Sequence, residues 1–223
     1  MSALKIVSGH NYGSLTVNTL GCTRLVMVSV GYINSTFSDA ENASGWQSLT
    51  QKTTSGDGTR IQIHYHESPS VAASHVFTHP QTFGTLALIG FTGWAASSAF
   101  DGENGATLPS NALTIDAGSV DPSENGCVLV AAIGTGGDPS GSAPAGWTVV
   151  ESLAGVGGTN YGIALAYKIK GAEHAAENPQ FAHTPTGLAA AVIAAFKSDG
   201  IGGGGAGLAM PPRRAFPMSI LNH

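Results

Sequence analysis

Four histidines, His64, His66, His75 and His79, fall within sixteen residues of one another. In His64-Tyr65-His66 two imidazoles at i and i+2 share one face of an extended chain, and a third from a neighbouring strand would complete a zinc or nickel site. Glu67 is the one carboxylate at an obvious ligand position. About a hundred residues on, the matching positions carry Ala166 and Lys168, so such a site would belong to one part of the chain only. Histidines on the polar face of a strand are ordinarily solvated and titrate near neutral pH. On that reading no metal and no cofactor is expected.

Other chemistry is sparser. A nucleophile elbow needs Gly-x-Ser-x-Gly between strand and helix, and Gly137-Asp-Pro-Ser-Gly141 has the wrong spacing and no helix after it. Gly134-Thr-Gly136-Gly137 lacks both the lysine and the helix N-terminus of a phosphate loop. No pair among the 14 acidic residues is singled out for glycoside hydrolysis. Asp101-Gly-Glu-Asn104 could offer oxygens to calcium but lacks the ligand ladder of an EF-hand, and reads as a plain turn. Trp46 and Trp147 read as core or rim landmarks. Trp94 and Tyr12 are the loop aromatics that could serve as a sugar platform. An enzyme is therefore not expected.

The elements that would carry these residues look duplicated. Gly21-Cys22, Gly45-Trp46, Tyr65, Phe77 and Phe91 recur in order as Gly126-Cys127, Gly146-Trp147, Tyr167, Phe181 and Phe196, at offsets of 101 to 105 residues. Glycine is abundant, at 31 of 223 residues, and only 10% of the chain is charged, which suits short strands and tight turns. Residues 25–33, 127–133 and 188–196 are apolar runs of strand length. The last is rich in alanine, a helix former, yet its counterpart is β-like and a strand is expected. Thr59, Ile61, Ile63 and Tyr65 alternate with Arg60, Gln62, His64 and His66, which predicts a strand with one buried and one polar face. Residues 95–110 read as a polar crossover. The expectation is a single all-β, jelly-roll-like sandwich over residues 1–198, built of two similar halves at roughly 15–94 and 113–198. Cys22 and Cys127 could pair, but equivalent positions in a repeat more simply denote two small buried hydrophobes.

The net charge is −5, and no lysine or arginine occurs between Arg60 and Lys168 while eight carboxylates do. Nucleic-acid binding needs clustered cations, so it is not expected of the body. Residues 1–15 have no apolar core of a secretory leader, and the longest apolar run, residues 188–196, is too short for a bilayer. No membrane association is expected. Beyond Asp199 four consecutive glycines read as a tether, followed by an extended segment whose Arg213, Arg214, Phe216, Met218, Ile220 and Leu221 suit docking on a partner, for instance by strand addition.

Pro144-Ala-Gly-Trp147, Tyr167-Lys168, the Asn178-to-Phe181 turn and the alanine-rich strand ending at Phe196 together resemble jelly-roll or β-sandwich domains of tailed-bacteriophage structural proteins. The first half, with Ser44-Gly45-Trp46 and no preceding proline, is a divergent copy. The resemblance implies a non-enzymatic virion protein, assembled in the host cytoplasm. Its role would be capsid decoration or cement, bound to the major capsid protein or another structural subunit through the C-terminal segment and forming a homo-oligomer, commonly a trimer. The competing reading is a carbohydrate- or receptor-binding module of a phage tail.

Overall fold

The computed structural model describes residues 6–92, 98–108, 112–136, 144–155, 161–170 and 175–197. All sixteen elements are strands. The first half contains β1 (Ile6–Tyr12), β2 (Ser14–Val17), β3 (Arg24–Gly31), β4 (Ser38–Asp39), β5 (Gln47–Ser48), β6 (Lys52–Thr53), β7 (Arg60–His66), β8 (His75–Thr78) and β9 (Thr85–Phe91). The second contains β10 (Phe100–Thr107), β11 (Ala112–Asp116), β12 (Val128–Thr135), β13 (Thr148–Leu153), β14 (Gly162–Ile169), β15 (Gln180–Gly187) and β16 (Ala189–Phe196). Among the described residues no helix is long and apolar enough to cross a membrane.

The duplication extends to the strand order of the large sheets. The large sheet of the first half runs β1-β9-β3-β7-β5, and that of the second runs β10-β16-β12-β14-β13, term for term its equivalent. In the small sheets β2-β8 corresponds to β11-β15, while β4, and β6 beside β7 in the large sheet, have no counterpart among the described residues of the second half. Every strand pairing is antiparallel. Placing the first, last, third and next strands in one sheet, and the second and penultimate in the other, is the two-sheet plan of a jelly roll. Each half is thus a jelly-roll-like sandwich, and the two stack through their large sheets to give four layers.

The reason lies in which faces are apolar. Alternate residues of β3, β7 and β9 (Val26, Val28, Val30, Ile61, Ile63, Ile89) meet alternate residues of β12, β14 and β16 (Val128, Val130, Ile163, Leu165, Val192, Phe196) in one central core. The intervening residues of the same strands face outward onto the small sheets. Leu25, Met27 and Leu88 pack on Leu15 and Phe77, and Leu129, Ala131 and Ile193 pack on Ile115, Phe181 and Trp147. Strands β3, β9, β12 and β16 are therefore buried along their whole length, and continuous apolar runs are what such two-sided strands require. In β16 this burial overrides the helix propensity of alanine. The landmark glycines mark left-handed backbone, with φ of +97° at Gly45 and +79° at Gly146, a conformation that side chains rarely adopt.

Some expectations need correction. Residues 100–107, read as part of a polar crossover, form β10 and pair with β16. Asp101 through Asn104 lie in that strand rather than in a turn. β1 also precedes the expected start of the first repeat and pairs with β9. Neither strand has the alternation that betrays one, since β10 reads Phe-Asp-Gly-Glu-Asn-Gly-Ala-Thr. Cys22 and Cys127 are both buried free thiols.

Because one core is shared by both halves, urea should unfold the body in a single transition. Phe196→Ala should lower stability by about 3–5 kcal/mol without splitting that transition. Two separated transitions in wild type would mean that the halves fold independently.

Candidate functional site

The four histidines do not stand in solvent. His64, His66, His75 and His79 are 3%, 8%, 0% and 3% exposed; the face of β7 that carries His64 and His66 is covered by the segments flanking β4 of the small sheet, with Phe37 edge-on to His64 and Trp46 edge-on to His66. The expectation of a polar, solvated strand face is overturned by this third layer. Alternation in the sequence shows that two faces differ, but not that both are covered.

Each ring is fixed as a hydrogen-bonding node. His64 Nε2–H donates to Ser35 O at 2.8 Å, while Nδ1 accepts from the Ser48 hydroxyl at 2.8 Å. His66 Nε2–H donates to Ser44 O at 3.1 Å and Nδ1 accepts from Ser68 N–H at 3.2 Å. His79 Nδ1 accepts from Gln81 N–H at 3.0 Å. Burial pushes the His64 imidazole down to about 4 and also lowers His79, so both rings are neutral at physiological pH. Among the described residues no group of three or more His, Cys, Asp or Glu side chains is placed to hold a metal ion.

His75 has the most elaborate surroundings. Its Nε2–H donates to Asp39 Oδ1 at 2.7 Å, with side chains 0% and 1% exposed, and its Nδ1 accepts from the Thr19 hydroxyl at 2.9 Å. Carboxylate, imidazole and hydroxyl in line have the connectivity of a hydrolase triad. Sequence inspection missed this set, since positions 19, 39 and 75 carry no motif. Thr19 is 0% exposed, and its hydroxyl oxygen also accepts Ala72 N–H at 3.0 Å, so no substrate carbonyl can reach it. The relay ties strands β4 and β8 of the small sheet to the loop that follows β2.

Asp39 is its hub. Oδ1 also accepts the backbone N–H groups of Glu41 and Asn42 at 2.8 and 3.0 Å, while Oδ2 accepts Asn42 Nδ2 and Trp46 Nε1, both at 2.9 Å. Burial alone would raise its pKa. The donors from His75, Asn42, Trp46 and Glu41 outweigh burial and hold the carboxyl below the ordinary range. Trp46 makes edge-on contacts with Phe37, His66 and Phe77. It walls a cleft of about 480 Å³ with Phe37, Asp39, Asn42, Ser44 and Ser48. The equivalent corner of the second half has a cleft of about 390 Å³ beside Pro144, Trp147 and Glu177. There Glu177 takes Lys168 Nζ at 2.8 Å and Lys170 Nζ at 2.6 Å. These two ammonium groups overcome burial and hold its carboxyl low.

The remaining candidates are quickly placed. Asp101 accepts from the Ser123 backbone and hydroxyl and pairs with Lys197, so its oxygens serve the protein itself. Burial, with help from Asp101, pushes the Cys127 thiol up to about 11. The Tyr12 hydroxyl donates to Ala154 O, and His10 pairs with Glu151; both link the two halves. Trp94, the Gly137–Gly141 elbow candidate and the docking residues Arg213, Arg214, Phe216, Met218, Ile220 and Leu221 lie outside the described residues. Searches among protein families, curated proteins and solved structures return no match to this chain.

Two outcomes follow for stability. In the unfolded chain His64 takes up its proton near the ordinary value of 6.5, but in the folded protein only near 4. Its contribution is therefore whole above the unfolded value and is lost as pH falls from about 6.5 toward 4. The loss approaches roughly 1.4 kcal/mol per pH unit within that window. His64→Asn should flatten the stability–pH profile there, as read from urea midpoints. Asp39→Ala, which strands several buried donors, should cost about 3–5 kcal/mol in the same assay at neutral pH.

Proposed function

We propose that the protein is a non-enzymatic structural component of a virion, a capsid decoration or cement protein that binds assembled capsid subunits. The observation that carries this reading is where the polar chemistry goes. The Asp39–His75–Thr19 relay, the other three histidines and the Glu177–lysine cluster all spend their hydrogen bonds inside the body, on neighbouring strands and loops. A stiff four-layer β body is suited to sit on a particle surface. Jelly rolls recur in capsid proteins and in lectins, a support by analogy of fold. The partners would be the major capsid protein or a neighbouring structural subunit, reached through Phe216, Met218, Ile220 and Leu221, with copies of this chain arranged as a symmetric oligomer, a trimer in the first instance.

A second reading, a carbohydrate- or receptor-binding module of a phage tail, is favoured by one feature. The 480 Å³ cleft beside Trp46 combines an indole and the Phe37 ring with serine hydroxyls, the pairing of apolar surface and polar groups that sugars use.

Co-sedimentation with assembled particles separates the two. The full chain should pellet with particles, and removal of residues 199–223 should reduce the bound fraction at least about tenfold, the loss of roughly 1.4 kcal/mol or more of docking energy. Retained binding by the shortened chain would refute docking through that segment. Glycan-array binding without particle association would favour the tail module.

A further inference from the structure

A third cleft, of about 500 Å³, lies where the two halves meet at the end of the central core. Tyr65 of β7 and Phe100 of β10 lie parallel in it, with ring centroids 5.8 Å apart and planes at 13°, backed by Phe196, whose ring is 5.4 Å from Tyr65. Glu67, His66 and Gln47 complete the wall. The Glu67 carboxylate accepts Ala99 N–H at 2.7 Å and Ser98 N–H at 3.1 Å. A carboxylate offers about four acceptor positions, so these two amides leave it capacity. Arg24 lies 3.7 Å from it, deep in the body and 1% exposed. Glu103 adds a further negative charge near Tyr65, and burial together with Glu67 and Glu103 raises the tyrosine pKa against the opposing pull of Arg24. Ser98, at φ +62°, is the one non-glycine residue with left-handed backbone among the described residues. Strain of this kind collects at sites that hold something.

Two flat aromatic rings beside carboxylates suit a planar cation. A guanidinium stacks on rings and donates in a fork to a carboxylate, and it sheds water more readily than an ammonium. Arg24 meets Glu67 from inside the body, and a guanidinium for the open side of the cleft is supplied by the sequence that follows β16. Lys197 N–H donates to Ala99 O at 2.7 Å, and the same Ala99 donates to Glu67, so Lys197, the last described residue, lies at the rim of the cleft. Arg213 and Arg214 follow sixteen and seventeen residues later. A connector of that length reaches tens of ångströms when extended, and the closure cost rises only slowly with length.

We infer that the Tyr65–Phe100–Glu67 cleft is the socket for an arginine side chain of the same chain's Arg213-Arg214 pair. The socket anchors the root of the C-terminal segment and sets where Phe216 through Leu221 are presented. The assignment stands apart from the virion reading, because it is tested without particles.

The test is nuclear magnetic resonance on the full chain at low salt, comparing wild type with R213Q/R214Q, whose changes lie outside the described residues. The wild type should show contacts from arginine δ-methylene protons to the Tyr65 and Phe100 rings, and ring shifts that differ from those of the double variant and persist on dilution. Arginine amide should bind the R213Q/R214Q protein at least about tenfold more tightly than it binds wild type, where the tethered side chain competes at an effective concentration of order millimolar. R213K/R214K should restore the ring shifts only in part, since it keeps charge but not the planar stack. Identical ring shifts in wild type and double variant would overturn the proposal. Differences that vanish on dilution would also overturn it and assign the socket to a second copy's segment.

Discussion

Everything in this molecule rests on the contact between the two large sheets. Each contributes a face of Val, Ile, Ala and Phe side chains to the central core, and that burial, worth roughly 25 cal/mol per Å² of apolar surface, is available to neither half by itself. The contacts between the two sheets follow a pseudo-twofold, β9 against β14 answering β16 against β7, with the equivalent strands β3 and β12 meeting between them. The central interface is therefore close to that of a symmetric dimer written into one chain. The small sheets can then be slight, two or three strands each, because they only cap faces already held flat by the core.

The outer layers differ in how they are fastened. In the second half the outward face of the large sheet is almost wholly aliphatic, with alanines from β14 and β16 under Phe181 and Trp147. In the first half the same layer mixes Leu25, Met27 and Phe77 with a polar set centred on Asp39 and the histidines. Buried polar groups are tolerable only when satisfied, and the dense bonding around Asp39 meets that condition. The polar fastening gives up some apolar burial but specifies geometry, since the Asp39 carboxylate is met by one arrangement of loop, indole and imidazole.

Much of the fold was legible in the chain itself. The order of the Gly-Cys, Gly-Trp, Tyr and Phe landmarks revealed the duplication because they occupy positions with strict local demands. Left-handed turns need glycine, and the deepest core positions need large rings. The edge strand β10 was hidden because its side chains are small or polar and half-exposed, so it carries no apolar period. The histidine network was visible as a cluster but misplaced. Covering a strand's second face is a tertiary event, and the residues that do it, Thr19, Asp39 and Trp46, lie 18 to 45 positions upstream of His64. The Tyr65–Phe100 cleft could not be read at all, since it joins strands of different halves.

The two cysteines have a consequence for where such a body can exist. Both thiols are buried, and they sit in equivalent places of opposite halves without bonding to each other. Cys127, its thiolate strongly disfavoured, is a poor nucleophile toward disulfides and oxidants. The two halves are thus joined by packing rather than by a covalent link between these cysteines, and holding them together requires no oxidising surroundings.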